Sequence, residues 1–239
     1  MKFFKILFFL SLFSLILSCQ ETINKSFTIK GTINGLTKGT VYLEKVQDTL
    51  IVKIDSFSVR DDGKFIVGDH IDSPEIYYLG IKEVPTEKLL IFGEKGIVNM
   101  TSKLEKFVFS AKVNGSINHD LLKEYKAMNQ KFQDLKLNIF KANLEAEQRK
   151  DSLALDSLEL KFKNLRRRRY LYTTNFAVNN ANKDIAPYLA LTELYNANIS
   201  LLDTINNSLS EEIKNSKYGK QLDQFITVIN KNNSKNLLQ

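Results

Sequence analysis

The sequence predicts an α+β protein in which an N-terminal antiparallel β-sandwich or barrel of about eight strands precedes an all-α helical hairpin and small helices. In the first half, short apolar runs alternate with period two between turn signals, which is typical of strands. Residues 117–186 contain neither Gly nor Pro, and their apolar spacing is helical. With 239 residues, 43% of them hydrophobic, the chain can form one large domain or two small ones.

Eight apolar runs account for the predicted strands. Two glycines separate the first two runs, and Asp61-Asp62-Gly63 is an Asp-Gly hairpin signal before the fourth. Turns at intervals of about eight to twelve residues favour a sandwich or barrel. The runs cover residues 27–33, 41–43, 50–59, 65–67, 76–81, 89–92, 97–100 and 107–113.

Two heptad patterns predict the helical hairpin. Apolar residues recur in steps of three and four over residues 121–146 and again over residues 155–176. The second pattern is out of phase with the first, so we expect a break near Lys150 and Asp151, with Asp151 capping the second helix. Each arm is then roughly 40 Å long at about 1.5 Å per residue, with one unbroken helix as the alternative. Both stripes are interpreted as core packing, with a partner-docking surface as the alternative.

Smaller helices follow the hairpin. Pro187 fits the first turn of a helix, where its missing N–H costs no hydrogen bond. Ser208 and Glu211 resemble a capping box that starts a short helix, and Ser216 is expected to cap the last one. We expect the polar residues after Ile229 to fray.

The N-terminus predicts export and a lipid anchor. Lys2 and Lys5 precede an apolar stretch over residues 6–17, as in a secretory signal peptide. Residues 16–19 resemble a bacterial lipobox that ends in Cys19, so we expect cleavage before an acylated Cys19. Several acyl chains on one residue would hold the protein permanently on a membrane. An ordinary signal peptide or an uncleaved anchor is the alternative.

These patterns divide the chain into five parts. The boundary between strands and helices is expected at Asn114-Gly115-Ser116. The parts are a lipoprotein signal peptide (1–19), a tether (20–26), a β-sandwich domain (27–116), a helical domain (117–232) and a polar tail (233–239).

The charge of the chain is basic and locally concentrated. Loss of the two signal-peptide lysines lowers the net charge from +7 to +5, and much of the excess is the run Arg166, Arg167, Arg168 and Arg169. Successive helical residues turn by about 100°, so the four arginines encircle the helix. They form either a solvated collar or an anion-binding site for phosphate or carboxylate groups. In an exported protein, this charge favours anionic lipid head groups or cell-wall polymers over nucleic acid as a partner.

Few residues offer catalytic or metal chemistry. The single cysteine excludes a disulfide framework and a CxxC pair, and the only histidines are His70 and His119. Nucleotide, hydrolase, zincin and EF-hand motifs are absent from the sequence. We therefore predict no enzyme activity, no cofactor and no metal, and expect both histidines at the surface.

Several segments carry a family resemblance. FTIKGTINGLTKGTVYLEKV, DSFSVRDDGKFIVG, LLIFGEKGIVNM and VNGSINHDLLKEYK resemble an uncharacterised β module that precedes thioredoxin-like domains in envelope lipoproteins of Gram-negative bacteria. IAPYLALTEL and SKYGKQLDQFI are similar to the helical segment that leads into the thioredoxin-like domain in those proteins. The resemblance covers residues 20–230, but no CxxC pair follows, so it supplies no catalytic residue.

Together these observations predict a non-enzymatic lipoprotein of the bacterial envelope. We expect it on the outer membrane, facing the periplasm or the cell surface, with the membrane as one partner and a protein as another. The alternative is an accessory factor that docks a separate thioredoxin-like oxidoreductase in trans, which the resemblance alone implies.

Overall fold

A computed structural model describes residues 25–236. Within this range, eight strands precede six α-helices, which confirms the predicted α+β class. The strands are β1 (Phe27–Asn34), β2 (Lys38–Gln47), β3 (Leu50–Arg60), β4 (Lys64–Asp69), β5 (Glu75–Ile81), β6 (Val84–Gly93), β7 (Gly96–Lys103) and β8 (Lys112–Asn114). The helices are α1 (Ile117–Arg149), α2 (Ser152–Asn179), α3 (Ile185–Glu193), α4 (Ile199–Ser208), α5 (Glu211–Lys214) and α6 (Lys217–Asn236).

The strands form two four-stranded sheets, so the β part is a sandwich. The strand orders are β4-β1-β7-β8 and β3-β2-β5-β6. Side chains from both sheets share one core, in which Phe27, Leu43, Tyr77 and Val98 have no exposed surface. One strand pair departs from the antiparallel prediction: β1 and β7 are parallel, with Phe27 opposite Gly96. Two parallel strands must be joined by a crossover connection. Here the chain between β1 and β7 passes through the other sheet, where it forms β2, β3, β5 and β6.

The prediction of a strand over residues 107–113 is largely wrong. The chain forms a 3-10 helix over Leu104–Lys106 and turns, and β8 covers only Lys112–Asn114. Side chains bind the backbone here: the Ser102 hydroxyl donates to the Phe107 carbonyl at 2.5 Å, and the Ser110 hydroxyl accepts from the Lys103 N–H at 2.9 Å. These local bonds replace the ladder bonds of a strand, while Phe107 is still fully buried.

The helical hairpin is confirmed, including its break. Lys150 adopts a left-handed conformation with φ of 55°, which ends α1. Asp151 then caps α2, because its carboxylate accepts the Ala154 N–H at 3.0 Å. The arms contain 33 and 28 residues, which correspond to about 50 and 42 Å.

Two details of the small helices differ from the prediction. The hydroxyl that accepts the Ile213 N–H belongs to Ser210, so Ser208 ends α4 and does not cap α5. Helix α6 continues to Asn236, past the point where the sequence predicts fraying. Pro187 does lie in the first turn of α3, and the Ser216 hydroxyl accepts the Gly219 N–H at the start of α6 at 3.3 Å, both as expected.

Helices pack against strands β5 and β6 on the outer face of the β3-β2-β5-β6 sheet. Strand β5 is buried on both faces: Tyr77 points into the sandwich, while Ile76 packs against the helices. The Ile76 N–H also donates to the Tyr218 hydroxyl of α6 at 3.0 Å. A separate apolar cluster thus joins sheet and helices, built from Ile76, Phe92, Leu122, Tyr125, Phe176, Ile185 and Leu189.

Candidate functional site

Most of the buried apolar side chains of the two hairpin arms lie in the basal half. Near the sandwich, Tyr125 and Phe132 of α1 and Leu165 and Phe176 of α2 are buried. The Tyr125 hydroxyl also lies 2.8 Å from the Thr173 hydroxyl across the two arms. The basal half of each stripe is therefore core, as the sequence predicts.

The distal half of the hairpin is more open: Ala146 is buried, but the stripe residues Leu135 and Phe162 are 45% and 39% exposed, and apolar side chains outside the stripes are exposed as well. Phe140 is 58% exposed and Leu153 is 81% exposed. Large apolar side chains exposed together on one element are typical of a binding surface. The set comprises Leu135, Leu137, Phe140, Leu144, Leu153, Leu160 and Phe162.

A groove runs between the distal arms. Its volume is about 790 Å³, and it merges with a second cavity of about 260 Å³ nearer the base, because Gln133, Lys136 and Phe162 line both. We call the two together the hairpin groove. Its apolar lining consists of Phe132, Leu137, Ile139, Phe140, Leu155, Leu158, Phe162 and Leu165.

The charges of the hairpin groove are sorted along its length. Glu147, Asp156 and Glu159 line the end near the turn. Lys136 and Arg166 line the portion nearer the sandwich. The groove is therefore acidic at its tip, apolar in its middle and basic towards its base.

The four predicted anion-binding arginines lie in three different environments. Arg167 and Arg168 are exposed. Arg166 lines the hairpin groove. Arg169 lines the same basal cavity, where it forms an ion pair with Glu193 at 2.8 Å and lies over the Tyr170 ring at 5.3 Å. Two of the four arginines therefore face the groove, and the run as a whole encircles α2.

Sequence reasoning did not identify the groove residues Leu137 and Phe140. Both lie outside the heptad stripe of α1 that the sequence analysis assigned to the core. The apolar residues on several faces of α1 do indicate such a surface, because one partner helix can cover only one of those faces.

A buried polar cluster joins the two sheets of the sandwich. The Lys45 ammonium lies 2.7 Å from Asp69 and 3.3 Å from Glu75, and the Tyr77 hydroxyl donates to Asp69 at 2.8 Å. Glu75 also pairs with Lys217 of α6. Burial opposes ionisation, but the hydrogen bonds from Lys45 and Tyr77 outweigh it and lower the pKa of Asp69. Each charge has a partner, so this cluster stabilises the junction with α6.

The two histidines differ in environment. His70 is exposed, as predicted, whereas His119 is half-buried and its Nδ1 accepts the Phe92 N–H at 3.4 Å. His119 is therefore less exposed than the sequence predicts. Burial and the charge of Lys126 lower the pKa of His119. Across residues 25–236, no three His, Cys, Asp or Glu side chains are grouped as metal ligands.

The predicted acylation site, Cys19, lies outside the described residues, together with the rest of the predicted signal peptide. Among residues 25–236, no helix is both long enough and apolar enough to cross a membrane.

Comparison with known proteins finds a family similarity in the β part of the chain. A family model described as a domain of unknown function, DUF4369, matches residues 27–122. A search of curated proteins found no match, and neither did a search of solved structures. The match agrees with the expected uncharacterised β module. It covers the eight strands and the first turn of α1, and it ends before the hairpin groove begins.

Proposed function

We propose that this chain is an envelope-anchored lipoprotein that acts by binding a protein partner and not by catalysis. The observation that carries the proposal is the exposed apolar lining of the hairpin groove. Burial of such side chains gains about 25 cal/mol per Å², so a partner that covers them gains affinity. In this account, Cys19 holds the chain on the membrane, the sandwich supports the hairpin, and the hairpin presents the groove.

The composition of the groove favours contact over chemistry. Its middle is lined by aliphatic and aromatic side chains, with the amides of Gln133 and Asn143 beside them. Catalytic sites instead bring together acids, bases or nucleophiles within hydrogen-bond distance of one another. An interface needs an apolar centre and a polar rim, which is the arrangement here.

The binding proposal is tested by photo-crosslinking in the bacterial envelope. A photoreactive phenylalanine analogue is introduced at Phe140 in the groove or, as the matched control, at Phe109, which is 92% exposed on the sandwich. We expect a discrete crosslinked product from position 140 and none from position 109. Equal products from both positions, or none from position 140, would overturn the proposal.

The anchor is tested separately with a radiolabelled lipid precursor. We expect label in the full-length chain and loss of that label in Cys19→Ser. An unlabelled wild-type chain would contradict the anchor. The mass of the crosslinked product also tests the resemblance to thioredoxin-associated modules, because a thioredoxin-like protein in that product would support docking in trans.

A further inference from the structure

We propose that the hairpin groove binds the hairpin groove of a second copy of this chain, antiparallel to it, so that four helices pack together. This inference rests on the proposed binding function and specifies the partner.

The acidic and the basic side chains of the groove lie at different distances from the turn of the hairpin. Counted from the turn at about 1.5 Å per residue, Glu147 and Asp156 lie within about 6 Å of the tip. Lys136 and Arg166 lie about 20 Å from the tip on the same scale. The apolar centre lies between these two zones.

The ring-bearing residues mark the centre of the arrangement. Phe140 and Phe162 are about 13 and 15 Å from the tip, between the acidic and the basic zone. A two-fold axis through this point brings the acidic zone of one copy onto the basic zone of the other, and the same contact is repeated at the opposite end. A parallel arrangement would bring like charges together, which is unfavourable.

The same pattern argues against other occupants. An anionic membrane would be repelled by Glu147, Asp156 and Glu159 at the tip. A partner helix would need an apolar centre with basic and acidic ends in the reverse order. A second hairpin of this chain supplies that order, and its own exposed apolar side chains are covered by the same contact.

Sedimentation equilibrium on the signal-free Cys19→Ser chain tests the proposal. We expect the wild-type chain to dimerise at concentrations up to about 100 µM, where weak interfaces are populated. A base variant, Lys136→Glu with Arg166→Glu, makes both zones acidic. A tip variant, Glu147→Lys with Asp156→Lys, makes both zones basic. Each should weaken self-association by at least about tenfold through like-charge contact.

Mixing the two variants is the critical step. An equimolar mixture should form a heterodimer about as tightly as the wild-type chain dimerises, because every acidic zone then meets a basic one. Arg167→Glu with Arg168→Glu is the matched control. It changes the net charge by the same amount as the base variant, but both of its substitutions lie outside the groove. This control should dimerise like the wild-type chain.

All four reversed side chains are exposed, so the variants should fold, which circular dichroism checks. A wild-type chain that stays monomeric, a dimer insensitive to either reversal, or a mixture that fails to associate would each overturn the inference. A monomeric chain that still crosslinks from position 140 to another protein would overturn only the second copy as partner. The proposed binding function would survive that result.

Discussion

The Arg169 guanidinium on α2 donates to the Glu193 carboxylate at 2.8 Å and to the Glu193 carbonyl at 3.4 Å, at the last residue of α3. This contact ties the hairpin to the helices behind it and takes one arginine out of the exposed run. The four consecutive arginines therefore cannot act as one unit.

Removal of the Arg169 contact should destabilise the fold. Both side chains are partly buried, so we expect Arg169→Gln to lower the free energy of unfolding by about 1 kcal/mol. Arg167→Gln, the exposed control, should change it by less than about 0.5 kcal/mol. Urea unfolding monitored by circular dichroism measures both, and equal effects would contradict a structural role for Arg169.

The exposed arginines should act on anionic surfaces. In the signal-free Cys19→Ser chain, Arg167→Gln with Arg168→Gln should weaken binding to phosphatidylglycerol vesicles by about 1 kcal/mol per arginine at the surface. The attraction should also fall with added salt, because charges are screened over about 10 Å at 0.1 M. Arg169→Gln is the control that should bind like the wild-type chain. Unchanged vesicle affinity in the double variant would leave these arginines as a solvated collar.

The turn of the hairpin depends on Asp151. Asp151→Ala removes the acceptor of the Ala154 N–H, and the loss of such a cap costs about 1 kcal/mol. The free energy of unfolding should fall by that amount in urea. Ser157→Ala, at an exposed position of the same helix, should stay within about 0.5 kcal/mol of the wild type. If both variants unfold alike, the cap does not stabilise the hairpin.

Stability should decrease with acidification through His119. The pKa of His119 is lowered in the folded chain, so the unfolded chain binds more protons near pH 6. The stability contributed by the neutral ring is complete above the unfolded pKa of about 6.5 and is lost as the pH falls through the folded pKa. Thermal melts at successive pH values should show a smaller decrease for His119→Gln. His70→Gln should retain the full decrease, and the opposite order would contradict this assignment.

Much of the fold could be predicted from local signals. Most of the period-two runs and the break before Asp151 depend on a few neighbouring residues, and the structure confirms them. The hairpin predicted at Asp61-Asp62-Gly63 is wrong, because the turn joins β3 and β4, which lie in different sheets. The parallel pairing of β1 with β7 could not be predicted, because it is set by contacts between residues about 70 positions apart. The helix over Leu104–Lys106 was missed because serine side chains, and not the apolar pattern, determine the backbone there.

The candidate site was less predictable than the fold. A heptad stripe shows which face of a helix is apolar, but not whether the same chain covers it. Within the stripes, Tyr125 and Phe176 are buried, whereas Leu135 and Phe162 are 45% and 39% exposed. The difference arises because the sheet and the small helices reach only the base of the hairpin.

The most direct test of the account is the native mass of the full-length chain in detergent-solubilised envelope, measured for the wild type, for Phe140→Ser and for Phe109→Ser. Both substitutions replace an exposed phenylalanine, but only Phe140 lies in the hairpin groove. The account predicts a complex larger than one chain for the wild type and for Phe109→Ser, and a single chain for Phe140→Ser. A wild-type chain that migrates alone, or a complex that survives Phe140→Ser unchanged, would contradict the claim that this protein acts by binding through its hairpin.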